Sequence, residues 1–121
     1  MKHCLVVDDS SVIRKVARRI MEGHGVRVSE AADGTQALEL CRQAMPDYLF
    51  VDYSMPEMDG FEFVRLMRAT PGGDQPKVIF CTVDNDVAQI ARAIRAGADE
   101  HMMKPFDKDI LETKLHAVGM I

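Results

Sequence analysis

Short apolar runs alternate along the whole chain with longer amphipathic stretches. Segments with the length of single strands lie at residues 4–7, 26–31, 48–52, 78–81 and 100–103, and those at 4–7, 48–52 and 78–81 are largely apolar throughout. The stretches that follow them, the last at 107–118, place apolar residues three and four positions apart, which is the period of a helix packed on one side. The sequence therefore predicts five strands that alternate with five helices.

This alternation predicts an α/β fold with a doubly wound, five-stranded parallel sheet, because each strand must be joined to the next by a helical crossover. Right-handed crossovers that place helices on both faces favour the strand order 2-1-3-4-5. The run 48–52 is apolar on both sides and is predicted to be central. The run 26–31 alternates apolar and polar residues, which is typical of a less buried edge strand.

Length and composition restrict the class of protein. The 121 residues fit one domain, and a content of 47% hydrophobic and 28% charged residues is ordinary for a soluble globular protein. A formal net charge of −4 argues against general binding to nucleic acid or to an anionic membrane. Residues 1–20 mix acidic and basic side chains, so they predict neither a signal peptide nor a membrane span.

The three cysteines indicate a reducing compartment. Cys4 and Cys81 lie in predicted strands and Cys41 lies on the apolar side of a predicted helix, with no C-x-x-C pair. We therefore expect three buried free thiols, no disulfide and a cytoplasmic location.

Polar residues follow four of the predicted strands at the point where each strand ends. Asp8 and Asp9 follow the first strand, Asp52 ends the third, Thr82 follows the fourth and Lys104 follows the fifth. The carboxyl ends of parallel strands share one edge, and the first and third strands are neighbours in the predicted order. The three carboxylates are therefore expected to lie side by side.

Three neighbouring carboxylates require either raised pKa values or a cation among them, and hard oxygen ligands suit Mg²⁺. With an ammonium from Lys104 and a hydroxyl from Thr82, such a site is suited to receive a phosphoryl group on Asp52. Each of these residues alone has a commoner explanation as a helix cap, a turn residue or a surface charge. Their joint occurrence at the strand ends favours the phosphoacceptor interpretation.

The motifs of the chain resemble those of one known family. They are Asp8-Asp9-Ser10, Asp52 with Met55-Pro56-Glu57-Met58-Asp59-Gly60, Thr82, Ala96-Gly97-Ala98 and Lys104-Pro105-Phe106. Together they resemble the receiver domain of two-component response regulators, the CheY-like family. The resemblance covers the whole chain, and it implies a single receiver domain at residues 1–121 with a flavodoxin-like, CheY-like fold.

The resemblance implies that Asp52 is phosphorylated by a phosphohistidine on a histidine kinase or phosphotransfer protein. Asp9 and Asp52 would bind Mg²⁺, with Mn²⁺ as a possible substitute, through their side chains. Ser54 would bind the metal through its backbone carbonyl, and Asp8 would hold metal-bound water. The protein would thus be a phosphoacceptor that catalyses its own phosphorylation and dephosphorylation rather than an enzyme with a separate substrate.

The resemblance also implies that Thr82 and Lys104 contact the phosphoryl oxygens and that the Lys104–Pro105 peptide bond is cis. With no output domain attached, the predicted stand-alone receiver would signal by binding an unidentified protein through the surface of its fourth helix, fifth strand and fifth helix. It would be a monomer or a phosphorylation-dependent dimer, with no nucleic acid or membrane partner.

Four positions affect how the predicted switch would work. His101 stands where many members of the family carry Tyr or Phe as the switch residue, and Val83 stands where Ala is common. His101 is interpreted either as a half-buried packing residue or as a source of pH dependence. A larger Val83 would hinder the inward movement of Thr82. Ser54 and Asp84 either flank the path of hydrolytic water, as side chains at these positions do in the family, or are ordinary solvated loop residues.

The first helix carries a basic outer surface with two interpretations. This surface consists of Arg14, Lys15, Arg18 and Arg19. It is either a solvated face or a docking site for an acidic or helical phosphodonor beside Asp52.

Three rival functions predict different sequence features. An aspartate-nucleophile phosphatase usually has a second acid two residues after the first, where this chain has Ser54. A flavin- or nucleotide-binding domain needs a phosphate-binding loop, but neither G-x-G-x-x-G nor G-x-x-x-x-G-K-[ST] occurs. A degenerate receiver that only binds partners would lack one of the five polar groups.

Overall fold

The computed structural model describes residues 1–83 and 87–121, which form ten alternating strands and helices. They are β1 (His3–Val7), α1 (Ser11–Gly23), β2 (Arg27–Ala31), α2 (Gly34–Gln43), β3 (Tyr48–Asp52), α3 (Gly60–Arg68), β4 (Lys77–Thr82), α4 (Val87–Ala96), β5 (Glu100–Met103) and α5 (Lys108–Ala117). Within the described ranges, no helix has the length and apolar content needed to cross a bilayer.

The five strands form one parallel sheet in the order β2-β1-β3-β4-β5. Helices cover both faces of this sheet. One apolar layer contains Met21 of α1 and Leu115 of α5. The opposite layer contains Leu38 of α2, Phe63 of α3 and Ala93 of α4. The predicted doubly wound fold and its strand order are confirmed, and β2 lies at an edge as its alternating pattern predicted.

The central strand β3 holds its last residue at the boundary of both apolar layers. Leu49 and Val51 point into the layer of α2, α3 and α4, whereas Phe50 points into the layer of α1 and α5. All three are fully buried, so both sides of the strand exclude water. Asp52 continues the strand and pairs in register with Cys81 of β4. Its backbone position is therefore fixed by the core on both sides.

Side-chain caps set where four of the helices begin. Ser10, Asp33, Asp59 and Asp107 each accept a hydrogen bond from the backbone N–H three residues later. The last helix therefore begins at Lys108, one residue after its predicted start, because Asp107 is the cap and not the first helical residue.

The spacing of Val87, Ile90, Ala91 and Ile94 predicts the fourth helix, and α4 is present at Val87–Ala96. Two of these residues are nevertheless exposed, Val87 at 78% and Ile94 at 61%. Ala93 is the buried residue of α4 instead. A small side chain there lets the helix lie close to the sheet, and the branched residues of α4 consequently face solvent.

The cysteines are placed as the sequence predicted. Cys4, Cys41 and Cys81 are all buried and none forms a disulfide. Burial raises the pKa of the Cys41 thiol to about 11, so this thiol stays protonated at neutral pH.

Gly60 provides a test of the close contact between α3 and the end of β3. A Cβ added at Gly60 would overlap the backbone carbonyl oxygen of Asp52 and approach the Phe80 ring at 3.1 Å. We expect Gly60→Ala to lower the free energy of unfolding by about 1–3 kcal/mol because the backbone must move to accommodate the methyl group. Urea denaturation measures the change.

Gly23→Ala is the matched control, because no heavy atom lies within 4 Å of a Cβ built at that position. It should leave stability unchanged or slightly increased. Equal stability of the two variants would contradict the predicted contact.

Candidate functional site

Three carboxylates meet at the carboxyl end of the sheet. Asp8 and Asp9 come directly after β1, Asp52 ends β3, and these two strands are hydrogen-bonded neighbours. One oxygen from each carboxylate lies within 4.8 Å of the others. Asp8 is 0% exposed and Asp52 is 4% exposed, whereas Asp9 faces solvent. The predicted grouping of the acidic residues is therefore present in the structure.

Hydrogen bonds on both sides hold Asp8 in place. Its backbone N–H donates to the carbonyl of Ala31 at 3.1 Å. Its Oδ1 accepts the backbone N–H of Ser10 at 2.9 Å, and its Oδ2 accepts a hydrogen bond from Lys104 at 2.7 Å. Both carboxylate oxygens are satisfied, which a fully buried carboxylate requires.

Lys104 joins the two buried carboxylates. Its Nζ lies 2.7 Å from Oδ2 of Asp8 and 3.2 Å from Oδ1 of Asp52. Burial lowers the pKa of Lys104, but the hydrogen bonds and negative charges of the two aspartates outweigh this effect and give a net rise. The ammonium therefore stays charged. The Lys104–Pro105 peptide bond is cis, as the family resemblance implied.

The electrostatics of the cluster favour a cation. Burial raises the pKa of Asp52 to about 6; the negative charges of Asp8 and Asp9 add to this rise, and Lys104 opposes it. Three carboxylates with one ammonium leave two negative charges uncompensated when all are ionised. These hard oxygen donors and this charge suit a divalent cation, so the acidic cluster can bind a metal ion.

Thr82 is hydrogen-bonded to the residue at the expected switch position. Its Oγ1 lies 2.9 Å from Nε2 of His101. The backbone N–H of His101 donates to Oε1 of Glu100 at 3.0 Å, and Lys114 donates to the same oxygen at 3.1 Å. Burial and the charge of Lys114 lower the pKa of His101, while Glu100 opposes them. A half-buried, neutral ring at neutral pH therefore fits the packing interpretation of His101.

Three further predicted residues have roles that the structure does not test. Ser54 is exposed in the loop between β3 and α3. Val83 follows Thr82 and is 69% exposed. Asp84, predicted to flank the path of hydrolytic water, lies outside the described residues. The roles given to these three positions stay predictions.

A network of charged hydrogen bonds next to the acidic cluster was not predicted from the sequence. Arg14 donates from Nη1 to the backbone carbonyl of Asp8 at 2.7 Å and from Nε to Oε1 of Glu30 at 3.0 Å. Arg18 donates to the other oxygen of Glu30 at 2.6 Å. No local motif indicates this network, because Glu30 lies on β2, far from α1 in sequence. It also removes much of the positive charge from the predicted basic face of α1.

Comparison with known proteins agrees with this fold and site. The family model of the response regulator receiver domain matches residues 4–116. The chain therefore belongs to the receiver domains of two-component response regulators. Its structure is similar to that of the chemotaxis response regulator CheY4 of Vibrio cholerae, with a TM-score of 0.93, 31% identity and 98% of each chain covered.

Curated relatives are similar over nearly all of this chain. Response regulator MprA of Mycobacterium ulcerans is 36% identical over 114 residues, which are 94% of this chain and 48% of MprA. Transcriptional regulatory protein AfsQ1 of Streptomyces coelicolor is 33% identical over 118 residues, which are 98% of this chain and 51% of AfsQ1. The chain thus spans about half the length of these two relatives.

The support of Asp8 by Arg14 and Glu30 is testable by a double-mutant cycle. Arg14→Gln and Glu30→Gln should each lower the free energy of unfolding. Their combination should lower it by less than the sum, because both remove the same partly buried ion pair. We expect a coupling energy of about 0.5–2 kcal/mol from urea denaturation.

Lys15→Gln paired with Glu30→Gln is the control, because Lys15 is exposed on the same helix and takes no part in the network. Additive effects of Arg14→Gln and Glu30→Gln would show that the contact between these residues contributes nothing measurable to the free energy of unfolding.

Proposed function

We propose that the domain formed by residues 1–121 is a phosphorelay response regulator that accepts a phosphoryl group on Asp52. The donor is a phosphohistidine on a histidine kinase or a phosphotransfer protein. The observation that carries this proposal is the buried carboxylate of Asp52 beside the ammonium of Lys104, within a cluster of three aspartates. The nucleophilic carboxylate of Asp52 and the positive charge of Lys104 thus lie together at the carboxyl end of the sheet.

In the transfer step, a carboxylate oxygen of Asp52 forms a bond to phosphorus as the P–N bond to the donor imidazole breaks. The bonding electron pair goes to the imidazole nitrogen, which takes up a proton. Lys104 neutralises negative charge on the phosphoryl oxygens, and the hydroxyl of Thr82 donates a hydrogen bond to one of them. Hydrolysis of the acyl phosphate later restores Asp52. The domain thus acts on itself rather than on a released substrate.

The acidic cluster would hold Mg²⁺, or Mn²⁺ in its place. Asp9 and Asp52 would ligate it through side chains and Ser54 through its backbone carbonyl, with Asp8 holding metal-bound water. The bound cation supplies charge neutralisation for the transferred group. Asp8 is suited to an outer position because its two oxygens already accept hydrogen bonds from Ser10 and Lys104.

The signal is proposed to leave through the surface of α4, β5 and α5, here called the output face. Large apolar side chains are exposed there, namely Val87, Ile94, Met103 and Ile110. Phosphorylation would draw Thr82 away from His101 and shift an equilibrium between two arrangements of this face. A coupling of about 1–3 kcal/mol would change the affinity for a partner protein, or for a second copy, by roughly 5- to 150-fold.

The proposed setting is the cytoplasm, where a histidine kinase delivers the phosphoryl group and the three buried thiols stay reduced. The proposed partner of this receiver domain is a protein rather than nucleic acid.

Phosphorylation of Asp52 is testable by intact mass spectrometry after incubation with a small acyl phosphate. In the presence of Mg²⁺ the protein should gain one labile phosphoryl group, and EDTA should abolish the gain because the clustered carboxylates then repel the phosphodonor. Asp52→Asn should gain nothing because the amide is not a nucleophile.

Asp47→Asn is the matched control, because Asp47 is an exposed aspartate next to β3 and outside the acidic cluster. A stable adduct on Asp52→Asn, or no adduct and no release of phosphate from the wild type, would refute the proposal. Rapid turnover of a free phosphoester would favour an aspartate-nucleophile phosphatase.

His101→Phe tests the link between Thr82 and the switch position. The hydrogen bond between Thr82 and His101 must break before Thr82 reaches the phosphoryl group. Its removal should therefore accelerate phosphorylation by the acyl phosphate by about 2- to 10-fold. His116→Phe changes an exposed histidine of α5 and should leave the rate unchanged. Equal rates for wild type and His101→Phe would show that this bond does not restrain Thr82.

A further inference from the structure

A groove of about 440 Å³ opens between α3 and α4 at the surface, outside the acidic cluster. Arg65 of α3 lines it together with Arg92 and Arg95 of α4. All three arginines are exposed, whereas the core below the groove is apolar. With Asp59 and Glu62 also in the lining, the groove carries three positive and two negative side chains, on a chain whose formal net charge is −4.

The three guanidinium groups have no carboxylate within ion-pair distance in the described parts of the chain. Elsewhere the pattern differs, since Arg14, Arg18 and Arg68 each form an ion pair. Like charges on facing helices repel each other and destabilise the packing. An anion from outside the chain would relieve this repulsion.

Arg92 contacts an aromatic ring of the groove. Its guanidinium lies over the Phe61 ring, 4.3 Å from the centroid. The same ring stacks on Phe80 at 4.7 Å and packs against Tyr53 at 4.8 Å. Stacking orients the plane of a guanidinium and leaves the N–H groups at its edge free to donate. A donor that is already oriented loses less entropy when it binds.

The surroundings of these arginines favour carboxylates over a nucleotide as the ligand. Phe61 is already covered by three partners, so it offers little surface for stacking a base. Asp59 and Glu62 also line the groove and would repel the concentrated charge of a polyphosphate. Carboxylates spaced along a peptide can avoid these two acids and bind each guanidinium through paired hydrogen bonds.

We propose that the groove between α3 and α4 binds an acidic segment of a partner protein, with Arg65, Arg92 and Arg95 as its carboxylate receptors. This site lies outside the acidic cluster, and binding there does not require phosphorylation of Asp52. The proposal therefore goes beyond the proposed function and can be tested independently of it.

The test is a ¹⁵N NMR titration of the unphosphorylated protein in metal-free buffer, with an oligoglutamate peptide as the probe. Amide resonances of α3 and α4 around the three arginines should shift, and added salt should weaken the binding. The double variant Arg65→Gln/Arg95→Gln should bind about tenfold more weakly, because two charge-assisted contacts are lost. Arg92 is left intact because its stack on Phe61 also contributes to packing.

Arg19→Gln is the matched control. Arg19 is exposed and lies on α1, which covers the opposite face of the sheet, so this variant should bind like the wild type. An oligoglutamine peptide should cause no shifts, and inorganic pyrophosphate should bind the groove more weakly than oligoglutamate.

Several outcomes would overturn the proposal. These are the absence of shifts in α3 and α4, shifts centred on Lys104 or on α1, equal loss of binding in Arg19→Gln, and equal binding of oligoglutamine. Tighter binding of pyrophosphate in the groove would assign it to a phosphate-bearing ligand instead.

Discussion

The ammonium of Lys104 between two buried carboxylates is the interaction on which the site depends. Removing charges from water is costly, and a buried ion pair stabilises a fold only where its geometry and additional hydrogen bonds are good. Here Lys104 is 2.7 Å from Asp8 and 3.2 Å from Asp52, yet it compensates only one of the negative charges. The fold therefore maintains a local excess of negative charge that an incoming cation can relieve.

The surrounding structure keeps this unfavourable arrangement in place. Leu49, Phe50 and Val51 fix β3 between two apolar layers, so Asp52 cannot move toward water without disturbing both of them. Arg14 binds the backbone carbonyl of Asp8 and joins it to β2 through Glu30. Apolar packing and a network of charged hydrogen bonds thus act together to hold the carboxylates close to one another.

The parts of this structure that were predictable depend on periodicity and on strand ends. Uniformly apolar runs identified the central strands, and parallel strands place their carboxyl ends at one edge, so the meeting of Asp8, Asp52 and Lys104 followed from sequence. The contact between Arg14 and Glu30 did not follow from sequence, because it depends on the packing of α1 beside β2. The exposure of Val87 and Ile94 on α4 did not follow from sequence either, because the spacing of apolar residues predicts a helix without showing what covers its apolar side.

The helix α4 takes part in two different surfaces. Ala93 is the one residue of α4 that is fully buried, whereas α3 buries five. A helix with so little buried apolar surface is held weakly and can shift at small cost. α4 contributes Val87 and Ile94 to the output face, and it contributes Arg92 and Arg95 to the groove between α3 and α4. Because α4 contributes to both surfaces, a shift of this helix would alter them together, and a ligand bound to either surface would bias the same equilibrium.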